Sequence, residues 1–217
     1  MRVLITGGYG FIGAWIARNL LARGDAVFAY DLKEDPRRLR PILPEAEVQK
    51  VRFVQGDVTD LAGLSRAIAD HGVTHVIHLA GLQVPTCRAD PMLGAKVNVL
   101  GTLAVFEAVK ASGGQVKRLV YASSAAVFGG PDKYPQAKDG GAFDWPLADD
   151  VLLMPGTHYG VFKCCNEGNA RIYFQDNGIS SIGLRPWTVY GRSRLSTNAF
   201  ATSSTYWKSV QPPKLIA

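Results

Sequence analysis

The chain has 217 residues, 47% of them apolar and 19% charged, which is an ordinary balance for one sizeable folded domain with at most a small appendage. The net charge is +6, but the last 26 residues hold Arg192, Arg194, Lys208 and Lys214 with no acidic residue, so the rest carries only +2. That excludes a broad basic nucleic-acid face on the core. No uninterrupted apolar run is long enough for a membrane span, and Gly7, Gly8 and Gly10 break the N-terminal run too early for a signal peptide.

Apolar runs alternate with amphipathic stretches in chain order. Arg2–Thr6 reads as a buried strand, Gly7–Gly10 as a turn, and Phe11–Arg23 as a helix closed by Gly24. Strands follow at Ala26–Tyr30 and Val51–Gln55. A helix over Leu61–Asp70 has Asp60 as its expected N-cap, and a fourth strand runs over His75–Leu79. Pro91–Ser112 reads as one long helix, Lys117–Ala122 as a fifth strand, Thr157–Gln175 as a helix and Ile179–Leu184 as a sixth strand. Residues 129–156, rich in Gly, Pro and Asp, read as a loop. Repeated strand–helix units with short apolar strands predict an α/β fold, a doubly wound parallel sheet of Rossmann type with helices on both faces. The division expected is a nucleotide-binding domain over residues 1–191 that also carries the catalytic residues. Residues 192–217 read as an atypical basic, Ser/Thr-rich tail in place of a full substrate lobe.

The three cysteines, Cys87, Cys164 and Cys165, give neither a disulfide framework nor a zinc spacing, and fit reduced thiols in a cytoplasmic protein. Cys164 and Cys165 read as small buried helix positions, Trp15 as helix-packing core and His158 as a cap or exposed side chain. His71, His75 and His78 have no carboxylate at metal-ligand spacing, so no metal is expected.

Thr6-Gly-Gly-Tyr-Gly-Phe-Ile-Gly13 sits directly between the first strand and the first helix. Gly7 permits a tight turn, Gly10 lets the backbone approach a pyrophosphate, and Gly13 lets the helix pack on the strand. Phe11 and Ile12 open a helix whose free N–H groups can hold phosphate. Asp31, followed by Leu32, ends the second strand, where a carboxylate accepts from ribose hydroxyls and repels a 2′-phosphate; this favours NAD over NADP, with Arg37 and Arg38 nearby. Asp57-Val58 lies past the third strand, where an adenine edge could rest; its plain alternative is a turn aspartate.

Tyr159 and Lys163 are four apart, which puts both on one face of a helix. An ammonium beside the phenol favours phenolate and lowers a pKa that is otherwise about 10. Ser124, after the fifth strand, can hydrogen-bond a substrate oxygen beside Tyr159.

With these residues the chain resembles the extended short-chain dehydrogenase/reductase family, the nucleotide-sugar epimerases and their NAD-dependent relatives. Matching segments are the glycine loop, Asp31, Gly56-Asp57-Val58, His78-Leu-Ala-Gly81, Asn98-Val-Leu-Gly-Thr102, the Ser124…Tyr159…Lys163 set, Glu167 and Arg185-Pro-Trp-Thr-Val-Tyr-Gly191. The resemblance implies Ser124, Tyr159 and Lys163 as catalytic residues, with Tyr159 and Lys163 also against the cofactor. It implies Leu79, Ala80 and Gly81 near adenosine and pyrophosphate, Asn98 ordering the central helix and its water, and Pro186 beside the nicotinamide. It further implies hydride transfer at a secondary alcohol of a sugar, sugar acid or sugar nucleotide. A homodimer through the helices near 91–112 and 157–175 is expected, with no nucleic-acid or membrane partner. The alternative is an NAD(H)-binding sensor or scaffold without turnover. Thr188 stands where sugar-nucleotide epimerases carry an Asn on substrate phosphate, which counts against a UDP-sugar. Ala125-Ala126 replaces the Asp-Glu pair of 4,6-dehydratases, which counts against dehydration.

Overall fold

The computed structural model describes residues 1–130, 133–134 and 151–193. Six strands form one parallel sheet: β1 (Arg2–Thr6), β2 (Ala26–Asp31), β3 (Arg52–Gln55), β4 (His75–His78), β5 (Arg118–Ala122) and β6 (Ser181–Leu184), in the order β3-β2-β1-β4-β5-β6. The order reverses between β1 and β4, and in sheets of this type ligands bind at the carboxyl ends of the strands beside such a reversal. Registers such as Thr6 opposite Tyr30 on one side and His78 on the other bring the carboxyl ends of β1, β2 and β4 level.

The inner strands β1, β2 and β4 are apolar on both faces because both faces are covered there. Leu4, Phe28, Tyr30, Val76 and Leu119 pack into one core with Val105, Phe106 and Val109. Val3, Ile5, Val27 and Ala29 pack on the other side with Ala14, Ala17 and Leu20. The helices are α1 (Phe11–Ala22), α2 (Glu45–Val48), α3 (Leu61–Asp70), α4 (Val84–Ala89), α5 (Pro91–Ala95), α6 (Gly101–Ala111) and α7 (His158–Asn177).

The expected single helix over 91–112 is α5 and α6 joined by a π turn at Lys96–Leu100. Pro91–Ala111 is long and apolar enough to cross a membrane by length and composition alone, yet Asn98, Thr102, Val105 and Phe106 on it are buried inside the domain. Asp60 stands at the N-cap of α3 but its side chain makes no capping bond. Thr157 caps α7 by accepting from the Gly160 N–H at 3.1 Å, and Gly178, at φ +66°, closes it. The predicted loop over 129–156 and the tail over 192–217 lie mostly outside the described residues.

Candidate active site

The glycine loop follows β1 directly. Gly7 has φ +68°, and a Cβ there would lie 2.9 Å from the Ala80 nitrogen; a Cβ on Gly13 would lie 2.6 Å from the Gly8 carbonyl oxygen. Side chains at these positions would fill the space in which the loop turns into α1. The Gly7 N–H donates to the Tyr30 carbonyl at 2.9 Å, and Gly10 donates to Gly7 at 2.9 Å, so the loop is closed on itself with the first turn of α1 facing outward. Phe11 and Ile12 form that turn and are half-buried.

Asp31 closes the far side. One carboxylate oxygen accepts from the Leu32 N–H at 2.9 Å and the other from the Tyr9 N–H at 3.3 Å, which ties the end of β2 to the glycine loop. Leu32 itself is exposed. Arg37 is paired with Asp35 at 2.8 Å. Asp57 caps its own turn, accepting from the Thr59 N–H and hydroxyl at 2.9 Å, so the plain turn role is real for one of its oxygens. Val58 is buried against Gly101. Leu79 and Ala80 run beside the loop: the Leu79 N–H donates to the Thr6 carbonyl at 3.0 Å and the Ala80 N–H to the Thr6 hydroxyl at 3.3 Å.

Ser124, Tyr159 and Lys163 converge. Ser124 leaves β5 and caps a short 3-10 turn over Ala125–Val127, accepting from the Ala126 N–H at 3.1 Å, and its hydroxyl stands close enough to the Tyr159 phenol to lower that group's pKa. The next N–H, of Ala125, donates to the Pro186 carbonyl at 3.0 Å, which pins the chain leaving β6 against the serine. The Lys163 ammonium lies 5.6 Å from the Tyr159 ring centroid and donates to the Ala122 carbonyl at 2.6 Å. Burial pulls Lys163 down to about 8, opposed by the nearby Cys87 thiol.

Tyr159 corrects one expectation. Burial raises its pKa above the ordinary value, the neighbouring Ser124 hydroxyl only partly offsets this, and Lys163 is not among the lowering influences. The phenol is therefore held protonated in the cofactor-free chain. The physical reason is that Lys163 spends a bond on Ala122 and sits over the ring rather than at the hydroxyl.

Asn98 is 1% exposed and its side chain is spent within the protein. Its Oδ1 accepts from the Leu82 N–H at 2.7 Å; its Nδ2 donates to the Leu82 carbonyl at 3.0 Å and to Cys87 Sγ at 3.3 Å. It thus orders the loop after β4, where a Cβ on Gly81 would lie 2.9 Å from Asn98 Oδ1 and 3.9 Å from Lys163 Nζ. Its backbone carbonyl accepts from the Thr102 hydroxyl at 2.7 Å and from Asn166 Nδ2 at 2.9 Å. Asn166 Nδ2 also reaches Thr102 Oγ1 at 3.1 Å. Thr102 Oγ1 meets His78 Nε2 at 2.9 Å, and His78 Nδ1 meets the Thr6 hydroxyl at 2.7 Å.

Sequence reasoning named Thr6, His78 and Cys87 but gave none of them a role in the site, and it passed over Asn166. Polar side chains inside otherwise apolar strand and helix faces were the available signal. Beside them, the Ser123 hydroxyl donates to Glu167 Oε1, and Arg185 grips both oxygens of Glu167 at 2.8 and 2.7 Å. Cys165 is exposed and Cys164 half-buried, against the expectation of two buried positions; Cys87 is the buried thiol. Trp15 is half-buried, donating to the Arg192 carbonyl at 3.1 Å.

Residues 3–207 match the NAD dependent epimerase/dehydratase family. The chain belongs to that family. Among its members, the UDP-glucose 4-epimerase of Klebsiella pneumoniae is 37% identical over 137 residues, 62% of this chain and 97% of that protein. The UDP-glucose 4-epimerase of Thermus thermophilus, solved with NAD, superposes with a TM-score of 0.69 at 33% identity, covering 85% of this chain and 54% of that one. An L-threonine dehydrogenase from Cupriavidus necator, solved in its holo form, gives a TM-score of 0.70 at 25% identity over 85% of this chain and 54% of its own. The chain thus spans about half the length of these solved family members.

Proposed function

We propose that this chain binds NAD and carries the acid/base half of a reversible hydride transfer at a secondary alcohol carbon of a carbohydrate, acid sugar or sugar nucleotide. The observation that carries the reading is the meeting of Ser124, Tyr159 and Lys163 at the carboxyl end of β5, level with a glycine loop whose turns leave no room for a Cβ. When bound, NAD supplies the hydride acceptor and donor. The glycine loop and the first turn of α1 hold its pyrophosphate, and Asp31 takes the ribose hydroxyls and repels a 2′-phosphate. Leu79 to Gly81 form the wall beside the loop. Lys163 has donors left beyond Ala122 for the second ribose.

Tyr159, protonated by its buried setting in the cofactor-free chain, donates its proton to the substrate oxygen in the reducing direction; in the oxidising direction it first gives that proton up to solvent, which the positive charge of a bound oxidised nicotinamide would favour, and the phenolate then takes the substrate hydroxyl proton. Ser124 holds the same oxygen. Whether the ketone leaves or is reduced again on its other face decides between dehydrogenase and epimerase, and the family contains both kinds of relative. On this reading the chain works in the cytoplasm, and a homodimer forms through α5–α6 and α7.

Three measurements test it. Fluorescence titration is expected to show NADH binding at least about tenfold tighter than NADPH, and tighter NADPH binding would overturn the role of Asp31. A screen of sugars, sugar acids and sugar nucleotides at 340 nm, with isomer analysis, identifies the substrate. Tyr159→Phe is expected to lower turnover by about 100-fold or more while NADH affinity holds; a fully active variant sinks the mechanism. Clear NADH binding with no turnover on any substrate favours the sensor reading instead.

A further inference from the structure

We propose that Asn166 is a positioning residue, whose amide ties the helix carrying Tyr159 and Lys163 to the π turn and, through Thr102, His78 and Thr6, to the start of the glycine loop. The proposal rests on the hydride-transfer reading above, and names the part that keeps the acid/base pair in register with the cofactor cradle.

Asn166 lies one turn after Lys163 on the same face of α7 and is 1% exposed. Its Nδ2 reaches two partners on the neighbouring helix, the Asn98 carbonyl at 2.9 Å and Thr102 Oγ1 at 3.1 Å. The first lies in the π turn, where the bonding of an ordinary helix is interrupted and a carbonyl is open to side-chain donors, and the second in the first turn of α6 that follows it. The direction of the chain can be worked out from proton counting. Thr102 has one hydroxyl proton, and it goes to the Asn98 carbonyl at 2.7 Å. Thr102 must then accept from Asn166 and from His78 Nε2, which fixes the proton of the neutral ring on Nε2. His78 Nδ1 accepts from Thr6, whose oxygen accepts from the Ala80 N–H. Every link has a single direction, so the chain sets where α7 stands relative to the loop that begins with Gly7, while that loop itself is held by β1 and α1. The other branch runs from Asn98 through Leu82 to Cys87, the thiol facing Lys163.

A stabilising role alone explains Asn166 poorly. Its Oδ1 is buried with no partner among the described residues, so this amide carries an uncompensated acceptor. Leucine has nearly the same shape, leaves no orphan, and keeps the Thr102–Asn98 bond. Lys163 is the group that would report a loosened contact. It is 5% exposed, faces Cys87 from α4, Tyr159 from its own helix and His78 from β4, and its burial depends on α7 staying pressed to the sheet.

The test uses the full chain with Asn166→Leu. Trace acetylation across pH, read by mass spectrometry of the peptide bearing Lys163, gives the midpoint of that amine without cofactor or substrate. Wild-type protein is expected near about 8, and the variant about one unit or more higher, toward the free lysine range. Thermal midpoint and NADH affinity are expected to hold within a few degrees and about threefold, while hydride transfer falls about tenfold or more at unchanged KM. Should the leucine variant fail to fold, Asn166→Ser, smaller and polar, carries the same expectations. An unmoved Lys163 midpoint in a folded variant overturns the proposal, as does a loss spread evenly over stability, NADH binding and rate. If wild-type protein turns over no substrate, the hydride-transfer reading fails, and the Lys163 midpoint still decides the role of Asn166.

Discussion

His78 is completely enclosed, and burial pushes its pKa down to about 3, helped by the charge of Lys163. The ring is therefore neutral in the folded protein, and its two bonds use the neutral tautomer fully: Nε2 donates to Thr102 and Nδ1 accepts from Thr6. An unfolded histidine titrates near 6.5. Between pH about 6.5 and 3 the unfolded chain binds a proton that the folded chain refuses, so stability contributed by this group is present above 6.5 and is lost on acidification toward 3. The slope from one such group is about 1.4 kcal/mol per pH unit. Urea melts at pH 7 and pH 5 are expected to show this loss well above the range of the carboxylates. His75 is lowered as well, also chiefly by burial, so the control is His78→Gln, whose amide does not titrate. That variant starts less stable but is expected to have a much flatter pH dependence; an unchanged slope would assign the effect elsewhere. None of this was legible in the sequence, where His78 stands in an apolar strand with no carboxylate spacing around it. Its partners lie 72 and 24 residues away and meet it only through the sheet and α6.

At the scale of elements, α7 was the most legible part. The helical span and the four-residue Tyr–Lys interval act locally, so the chain order alone states them, whereas the caps at Thr157, where the sequence points to His158 as the candidate, and at Gly178 came only with the structure. The π turn was not legible, because the donors that hold the Asn98 carbonyl come from Thr102 on the next turn and Asn166 on another helix. What aims Tyr159 at Ser124 is a close approach at Gly160. A methyl there would overlap the Ala126 carbonyl oxygen and stand 2.8 Å from Pro155 Cβ, so α7 rests directly on the 3-10 turn that Ser124 caps. A backbone oxygen cannot yield as a flexible side chain can. Gly160→Ala is expected to cost about 1–3 kcal/mol of stability and to displace the Tyr159 hydroxyl from Ser124. Turnover would fall by about tenfold to 100-fold, while NADH affinity, set by β1, β2 and α1, changes little. Denaturant melts and steady-state kinetics on one preparation check both, and an alanine variant with normal turnover would show that this approach is not what positions the tyrosine.

Taken whole, the fold was readable because the strands are short apolar runs and each glycine-marked turn stands between a strand and a helix; six parallel strands follow from that pattern. How the outer surfaces are covered does not follow from it. Among the described residues, two separate faces stand out as apolar. At the β6 edge Ile182 and Leu184 are exposed, with Phe174 on the adjoining helix. Along the outside of the helix pair, Met92 is 81% exposed, and Leu93, Leu100, Val161 and Ile172 are exposed with it. On α7, Val161 and Ile172 are three turns apart on one stripe, and α7 is joined edgewise to α6 by the Tyr173 hydroxyl donating to Glu107 at 2.7 Å. These exposed residues come from α5, the π turn and α7, and two-fold pairing of this side with a second copy would bury them in a four-helix interface. Light scattering is then expected to give twice the chain mass of 23.4 kDa. Placing Glu at both Leu100 and Val161 should halve that mass, because like charges would face one another across the two-fold. Leu184→Lys separates the two faces: it leaves the dimer intact if the helices carry it, and dissolves it if the β6 edge does. A wild-type species of one chain mass at tens of micromolar, or a dimer untouched by the paired Glu substitutions, would refute pairing through the helices.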